Sequence, residues 1–346
     1  MSSTWDVTYT ECNDGTGLHL VTATNKKDPS LSHSQPCRLV KGSPNLSSLT
    51  EERFDYIDQN LKYKPSDIII TSYPKCGTTW TEQCVLLLLC GGNKDMMDPS
   101  YKNSYAPGIN HFGKIWPEAT INQDPTEKDR CGLEFVSLTM EQFDNAPSPR
   151  LIKSHARQEH LVGCHRQGLK NIPEGTKVLI VSRNPLDACV SSYYHAFNPF
   201  KCGWKFDAWA SVFLSGKIMF GSYFEWVKGW WEDVQKHPTK ALWLQYEDMQ
   251  TDPRGQIIKI ADYLEIPYTN ELIDKVLLFS SFDSMKKQAE EKGGNHNGHL
   301  RQGKSGDWQN HFTPELVEEF RIKYTQELAG TGLVFPIGHG EEDFHA

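Results

Sequence analysis

The sequence predicts an α/β fold built on a doubly wound parallel sheet flanked by helices, and three observations lead there. Continuous apolar runs, Ile68-Ile69-Ile70 and Val178-Leu179-Ile180-Val181, have the character of strands covered on both faces. Helical patterns separate such runs, the alternation of a parallel sheet. The chain has 346 residues, 38% of them hydrophobic and 23% charged, enough to bury a core in one large domain or two smaller ones.

Residues 1–45 are rich in Ser, Thr, Asn and Lys with little periodicity, and read as a loosely held N-terminal extension. Four segments then read as buried parallel strands: Asp67–Ser72, Arg150–Ser154, Lys177–Ser182 and Ala241–Tyr246. After the first strand comes Ser72-Tyr73-Pro74-Lys75-Cys76-Gly77-Thr78-Thr79-Trp80, followed by a helix expected over Thr81–Cys90. Backbone N–H groups opening a helix carry partial positive charge; Lys75 adds a full one, and Gly77 permits close backbone approach. This makes a phosphate cradle, although the segment also fits an ordinary strand–turn–helix corner capped by Thr. It is not the Walker form, in which Lys directly follows the second Gly. Here Lys75 precedes the only Gly by two positions.

Ligands of doubly wound sheets sit outside the carboxyl ends of the strands. The second strand delivers Lys153, Ser154 and His155 to that edge. The third ends at Arg183, where Asn184 and Pro185 form an N-cap and first turn. Lys75, Lys153 and Arg183 would therefore converge on one crevice and require a highly charged ligand. His155 sits two residues after Lys153, so on an extended chain the two point the same way. Nearby positive charge favours the neutral, proton-accepting imidazole that general-base catalysis uses. A histidine in this position also fits a simple loop hydrogen bond.

Composition narrows the ligand. A formal charge of −8 disfavours nucleic acid, so anions must be held by a local basic site. Nine scattered cysteines without C-x-x-C pairs read as reduced thiols, which together with a polar N-terminus suggests a cytoplasmic protein with no signal peptide. The longest apolar run, Val85–Cys90, is far too short to cross a bilayer. Lys286–Lys304 reads as a mobile, lid-like loop. Its His296 and His299 flank a Gly, which breaks the helix a His pair would need, so no metal site is expected.

Several motifs in order, from about Phe54 to Leu333, resemble the cytosolic sulfotransferases that use 3′-phosphoadenosine 5′-phosphosulfate (PAPS). Tyr73–Trp80 is similar to the family's 5′-phosphosulfate loop, and Pro149–His155 to the segment whose His is the catalytic base. Arg183–Ser191 resembles the 3′-phosphate site, with Arg and Ser eight residues apart. Gly221–Glu232, Tyr246–Met249, Ser280–Phe282 and Arg301–Trp308 follow the family order. The resemblance implies a single-domain, P-loop-like sulfotransferase fold over residues 46–335, with 336–346 as a C-terminal tail.

It further implies that Lys75 and the backbone of Cys76, Gly77, Thr78, Thr79 and Trp80 hold the 5′-phosphate and the departing oxygen. Arg183 and Ser191 would grip the 3′-phosphate, joined by Arg301, Gln302 and Gly303. Trp80, Tyr246 and Phe282 would line the adenine pocket, with Ser281 a polar contact. His155 would take the acceptor's proton while Lys153 and Lys75 offset charge on the transferring group, without a metal.

Three departures stand out. Cys76 replaces the family's Ser, so a thiol stands where a hydroxyl would steer Lys75. Gln302 replaces Lys, which removes a charge near the 3′-phosphate and implies weaker cofactor affinity or greater reliance on Arg183, not inactivity. The family's dimer motif is degraded to Gln309, Thr313, Pro314 and Glu318, leaving the oligomeric state open.

The acceptor pocket is expected to involve His111, Phe112, Trp116, Phe143 and Tyr194, with Tyr105 and Phe197 as further candidates. Their aromatic character favours a flat or apolar small-molecule acceptor. Glu118, Glu141 and Asp144 leave room for a cationic or polar one, so phenol, alcohol, amine and polar natural product all stay open. A nucleotide-binding protein without turnover and a phosphoryl-transferring kinase are the rival readings. Retention of Lys153 and His155 speaks against the first, and the absence of the Walker order against the second.

Overall fold

The computed structural model describes residues 4–96, 114–122, 138–195, 202–291, 300–337 and 343–345. Its N-terminal region departs from the expected loose extension. Strands β1 (Trp5–Glu11), β2 (His19–Asn25), β3 (Ser32–Val40) and β4 (Ser43–Asn45) form an antiparallel sheet in that order. The reason is a period of two hidden among threonines and serines. Trp5 and Val7 in β1, Val21 and Ala23 in β2, and Cys37 in β3 face inward, while polar neighbours face out. Asp14 and Asn25 make the hairpin turns by accepting hydrogen bonds from backbone amides two residues on, those of Thr16 and Lys27. The sheet is anchored to the body by Trp5 Nε1, which donates to Asp207 (3.0 Å), and by Lys217, which donates to the Val7 carbonyl (2.6 Å).

The central sheet comprises β5 (Ile68–Ser72), β6 (Lys114–Ile115), β7 (Leu151–Ser154), β8 (Lys177–Ser182) and β9 (Ala241–Gln245). All neighbours are parallel and the order is β6-β7-β5-β8-β9. The four expected strands are present within a residue of their expected bounds; only the two-residue edge strand β6 was not expected. Alternation along the strands divides the core in two. Ile68, Ile70, Leu151, Leu179 and Val181 pack on one face with side chains from helices Thr78–Leu89, Pro253–Tyr263 and Asn270–Phe279. Ile69, Ile152, Val178 and Ile180 pack on the other with those of Phe206–Ser215, Tyr223–Lys236 and Pro314–Leu328. These two helical layers cover both faces, as the continuous apolar runs require.

Beneath the base of the sheet, Arg150 is fully buried and paired with Asp67 (2.5 and 2.8 Å). Its guanidinium also donates to the carbonyls of Phe143 and Lys62 and lies 4.2 Å over the Phe143 ring. At the C-terminus, β10 (Val334–Phe335) pairs with β11 (Phe344–His345), and Phe344 is buried against Tyr324, so the end of the chain is tied to the core. The expected loop Lys286–Lys304 is partly helix, because Phe282–Glu291 is α-helical. His296 and His299 lie outside the described residues. No described helix is long and apolar enough to cross a membrane.

Candidate active site

At the carboxyl end of β5 the chain turns through Lys75, whose backbone is left-handed (φ 72°), and Gly77 (φ 108°) before entering the helix Thr78–Leu89. The helix starts three residues earlier than expected, which brings its first-turn amides directly into the loop; such amides have no acceptor within the helix. Left-handed backbone costs a non-glycine residue about 1–3 kcal/mol and persists only where surrounding contacts hold it. Those contacts are visible. Ser72 and Thr78 hydroxyls bond across the loop, and Arg183 Nη1 donates to the Lys75 carbonyl (3.2 Å). A Cβ at Gly77 would stand 2.8 Å from the Tyr246 ring, so the close approach excludes other residues.

Burial first, and then Arg183, Lys153 and Arg301, push the Lys75 ammonium down to about 7. Arg183, Lys153 and Arg301 therefore all lie close enough to Lys75 to act on its charge. Cys76 is fully buried with Sγ 4.0 Å from the Pro74 carbonyl, and burial pushes its thiol far up. Its side chain is packed in the core cluster, so the Ser-to-Cys departure places a thiol in the core.

The corner after β8 carries Arg183, the second cation of the crevice. Asn184 caps the helix Pro185–Tyr193 by accepting from the Asp187 amide (2.9 Å). Glu247 accepts from both the backbone and the side chain of Asn184 (2.9 and 3.0 Å), and burial raises its carboxyl to about 7. Arg183 stacks 4.2 Å over Tyr246, donates to the Lys304 carbonyl (3.0 Å), and keeps its buried Nε without a hydrogen-bond partner among the described residues. Asp187 accepts from the amides of Gly306 (2.7 Å) and Trp308 (3.2 Å), docking the segment 301–308 onto this corner. Arg301 is paired with Asp307 and lies 4.5 Å over Tyr194.

Trp80 meets Tyr246 edge-on at 5.7 Å. Gln250 joins Tyr246 to the Gly303 carbonyl (3.4 and 2.6 Å), and the Phe282 ring covers Gly303 so closely that a Cβ would fall 2.0 Å from it. The three aromatics expected around a purine are thus linked through this loop.

Strand β7 supplies the third group. Lys153 is buried with its ammonium 4.5 Å over the Trp116 ring. Burial pushes it down to about 8, opposed by Glu82. His155 Nδ1 lies 2.8 Å from the Ser72 carbonyl. A carbonyl only accepts, so Nδ1 carries the hydrogen and Nε2 keeps its lone pair. Burial, then Lys153, hold this imidazole well below its ordinary value, which keeps it neutral at pH 7. Trp116 (5.1 Å) and Phe220 (5.3 Å) pack edge-on against its ring.

The structure gathers Lys75, Lys153, His155, Arg183 and Arg301 at the carboxyl edge, with Thr79 and Ser191 half-buried nearby on their helices. Trp116 stands beside His155, as an acceptor wall would. Phe143 does not fit that expectation: it is a core residue stacked on Arg150. Tyr194 lies under Arg301, which places it toward the expected 3′-phosphate end rather than beside His155. Glu118 is buried and bonded to Ser154, while Glu141 and Asp144 are exposed on a helix, Met140–Asp144. Gln302 and Ser281 are exposed. His111, Phe112, Tyr105 and Phe197 lie outside the described residues. Sequence reasoning missed Phe220, whose left-handed backbone (φ 72°) is held by the Pro44 carbonyl, and the docking role of Asp187. An aromatic before Gly221 offered a signal for the first; nothing local reveals a partner 119 residues away for the second.

Comparisons with known proteins bear on the family and the fold. The family model described as "Sulfotransferase domain" matches residues 65–332. Sulfotransferase 1B1 of Canis lupus familiaris is 31% identical, covering 86% of this chain and 95% of its own length. Sulfotransferase 1E1 of Bos taurus is 28% identical over 82% of this chain and 90% of its own. Among solved structures, mouse sulfotransferase SULT7A1 complexed with PAP has a TM-score of 0.62 at 24% identity, covering 85% and 94% of the two chains. A retinol dehydratase bound to androsterone and inactive cofactor PAP reaches 0.68 at 22% identity, covering 95% and 98%. With the family model spanning most of its length and a curated relative above 30% identity, this chain belongs to the sulfotransferase family.

Proposed function

We propose that this cleft moves a sulfuryl group in line from PAPS to a hydroxyl or amine of a small-molecule acceptor, with His155 as general base. The observation that carries the reading is the single tautomer imposed on His155. The Ser72 carbonyl fixes the hydrogen on Nδ1, leaving Nε2 as a proton acceptor beside Lys153 in a cationic cleft.

The residues present fit the donor. Arg183 Nε is buried without a hydrogen-bond partner among the described residues, Gly77 and Gly303 keep close walls free of a Cβ, and Arg183, Lys153 and Arg301 all bear on Lys75, a clustering of positive charge that suits a polyanion. When bound, PAPS supplies a sulfuryl group on a phosphate leaving oxygen. Lys75 and the amides opening the helix Thr78–Leu89 would hold the 5′-phosphate end. Arg183, Ser191 and Arg301 would hold the 3′-phosphate, joined by Gln302 and the Gly303 backbone. Trp80, Tyr246 and Phe282 would flank the adenine, with Ser281 as a polar contact. His155 Nε2 takes the acceptor's proton as the new bond forms, while Lys153 and Lys75 offset charge on the transferring group. Trp116 and Phe220 give the acceptor aromatic walls next to the base. A cytoplasmic location fits the free cysteines among the described residues, most of which are buried.

His155→Ala should lower turnover by at least about 100-fold, the low end of what a general base contributes, and leave the affinity for 3′-phosphoadenosine 5′-phosphate (PAP) nearly unchanged. Near-normal turnover in this variant would remove His155 from the role of base.

A further inference from the structure

Lys153 and His155 stand on either side of Ser154, whose side chain alternates to the opposite face of the strand end. The Ser154 hydroxyl donates to Glu118 Oε1 (2.5 Å) and accepts from the Ala156 amide (3.0 Å). Glu118 is 4% exposed, and its second oxygen has no hydrogen-bond partner among the described residues. It lies on the short helix Pro117–Thr120, two residues after Trp116. The Trp116 ring in turn touches both Lys153 and His155. One segment therefore holds β7 twice: Trp116 covers the two reactive side chains, and Glu118 grips the serine between them.

The peptide groups beyond His155 are also fixed. Trp226 Nε1 donates to the carbonyls of His155 (3.1 Å) and Ala156 (2.9 Å), and Trp230 Nε1 to that of Ala156 (3.0 Å). The Ala156 amide is the one direction in which the turn after His155 depends on Ser154, and hence on Glu118.

We propose that Glu118 is a positioning residue for sulfuryl transfer: through Ser154 it sets the turn that aims His155 Nε2 and locks the Trp116 wall against it. The proposal rests on His155 being the base. What Glu118 supplies is a hydrogen-bond acceptor for the Ser154 hydroxyl, and the carboxamide of Gln offers one as well. Glu118 does not touch the reacting atoms. Its loss therefore misdirects the base without emptying the nucleotide site.

The test uses the full-length protein with PAPS and 4-nitrophenol, together with long-range 1H–15N spectra of 15N-histidine-labelled samples. Glu118→Ala and Ser154→Ala should each lower kcat about tenfold or more, as small misplacements in an active site do, with PAP affinity unchanged. The double variant should fall no further than either single one. Glu118→Gln should recover most of the rate. In the spectra, the single Nδ1–H tautomer of His155, identified by its loss in His155→Ala, should give way to a mixture in Glu118→Ala; this signal needs no turnover. An unchanged tautomer, multiplicative losses in the double variant, or failure of Gln to rescue would overturn the proposal. Normal turnover in His155→Ala with an altered tautomer in Glu118→Ala would instead overturn the base assignment and leave the positioning intact.

Discussion

Lys75 and Lys153 reach about 7 and about 8 because both are withdrawn from water and Lys75 is also surrounded by cations. An exposed lysine titrates near 10.4. Between pH 7 and about 10 the unfolded chain therefore binds more protons at these positions than the folded one, and the fold gains stability as pH rises through that window. Below pH 7 both states are protonated and the penalty is complete. A bound polyanion reverses the effect, since opposite charge favours the ammonium form. PAP binding at pH 8 should consequently take up protons. Calorimetry in two buffers of different ionisation enthalpy would reveal this as a difference in heat that shrinks toward pH 6; equal heats at pH 8 would mean the lysines are already charged in the free protein.

Arg183 gives a second prediction at the scale of single residues. In the proposed role its hydrogen bonds to a charged phosphate would be worth about 1.5–3 kcal/mol, so Arg183→Ala should weaken PAP by about tenfold or more. The unphosphorylated analogue, adenosine 5′-phosphate, should be affected far less. Equal losses for the two nucleotides would remove Arg183 from the 3′-phosphate site.

At the scale of elements, the cleft is made by strand ends that the sequence marks and by docking contacts that it does not. Continuous apolar runs identify β5 and β8 because a doubly covered strand has no polar face, and Asn184-Pro185 marks a helix start through its own local chemistry. Lys153 and His155 were legible for the same reason, since their relation depends only on strand geometry. Asp187 shows the limit. It reads as a first-turn acid, yet its carboxylate accepts from Gly306 and Trp308 and so holds the segment bearing Arg301 and Gly303. Asp187→Ala should leave those amides without an acceptor, a cost of about 1–3 kcal/mol where they are buried. PAP affinity should drop although Asp187 is not expected to touch the ligand, and hydrogen exchange at Gly306 and Trp308 should speed up. Unchanged exchange would show that other contacts fix the segment.

The same contrast explains the N-terminal sheet. Threonine and serine fill its outward positions, so composition suggested an extension while the inward Trp5, Val7, Val21, Ala23 and Cys37 carried the pattern. In the element after Thr313, a proline that looks disruptive in a degraded dimer motif is the first residue of the helix Pro314–Leu328, capped by Thr313. Its fixed φ suits that position.

Across the whole molecule, the N-terminal sheet is coupled to the site. Pro44 in β4 accepts from the Phe220 amide (2.8 Å), and Tyr73, in the loop after β5, donates to the adjoining Gly221 carbonyl (2.9 Å). The turn that presses Phe220 against His155 is thus held from both sides. Deleting residues 1–31 removes β1 and β2 and the buried Trp5, Val21 and Ala23, each of the larger two worth about 1.5–3 kcal/mol. Melting should fall by several degrees, and the smaller sheet should hold Phe220 less firmly, raising KM for an aromatic acceptor more than for PAPS. An unchanged melting temperature would mean that the sheet is merely appended.

The central claim is that the cationic crevice and the neutral imidazole form one transferring site. It is tested most directly by incubating the protein with 35S-labelled PAPS and a panel of phenols, alcohols and amines, and following label into organic product. The account predicts transfer to at least one acceptor that depends on His155 and is inhibited by PAP. Tight, PAP-competed binding of the donor with no labelled product from any acceptor class would contradict it.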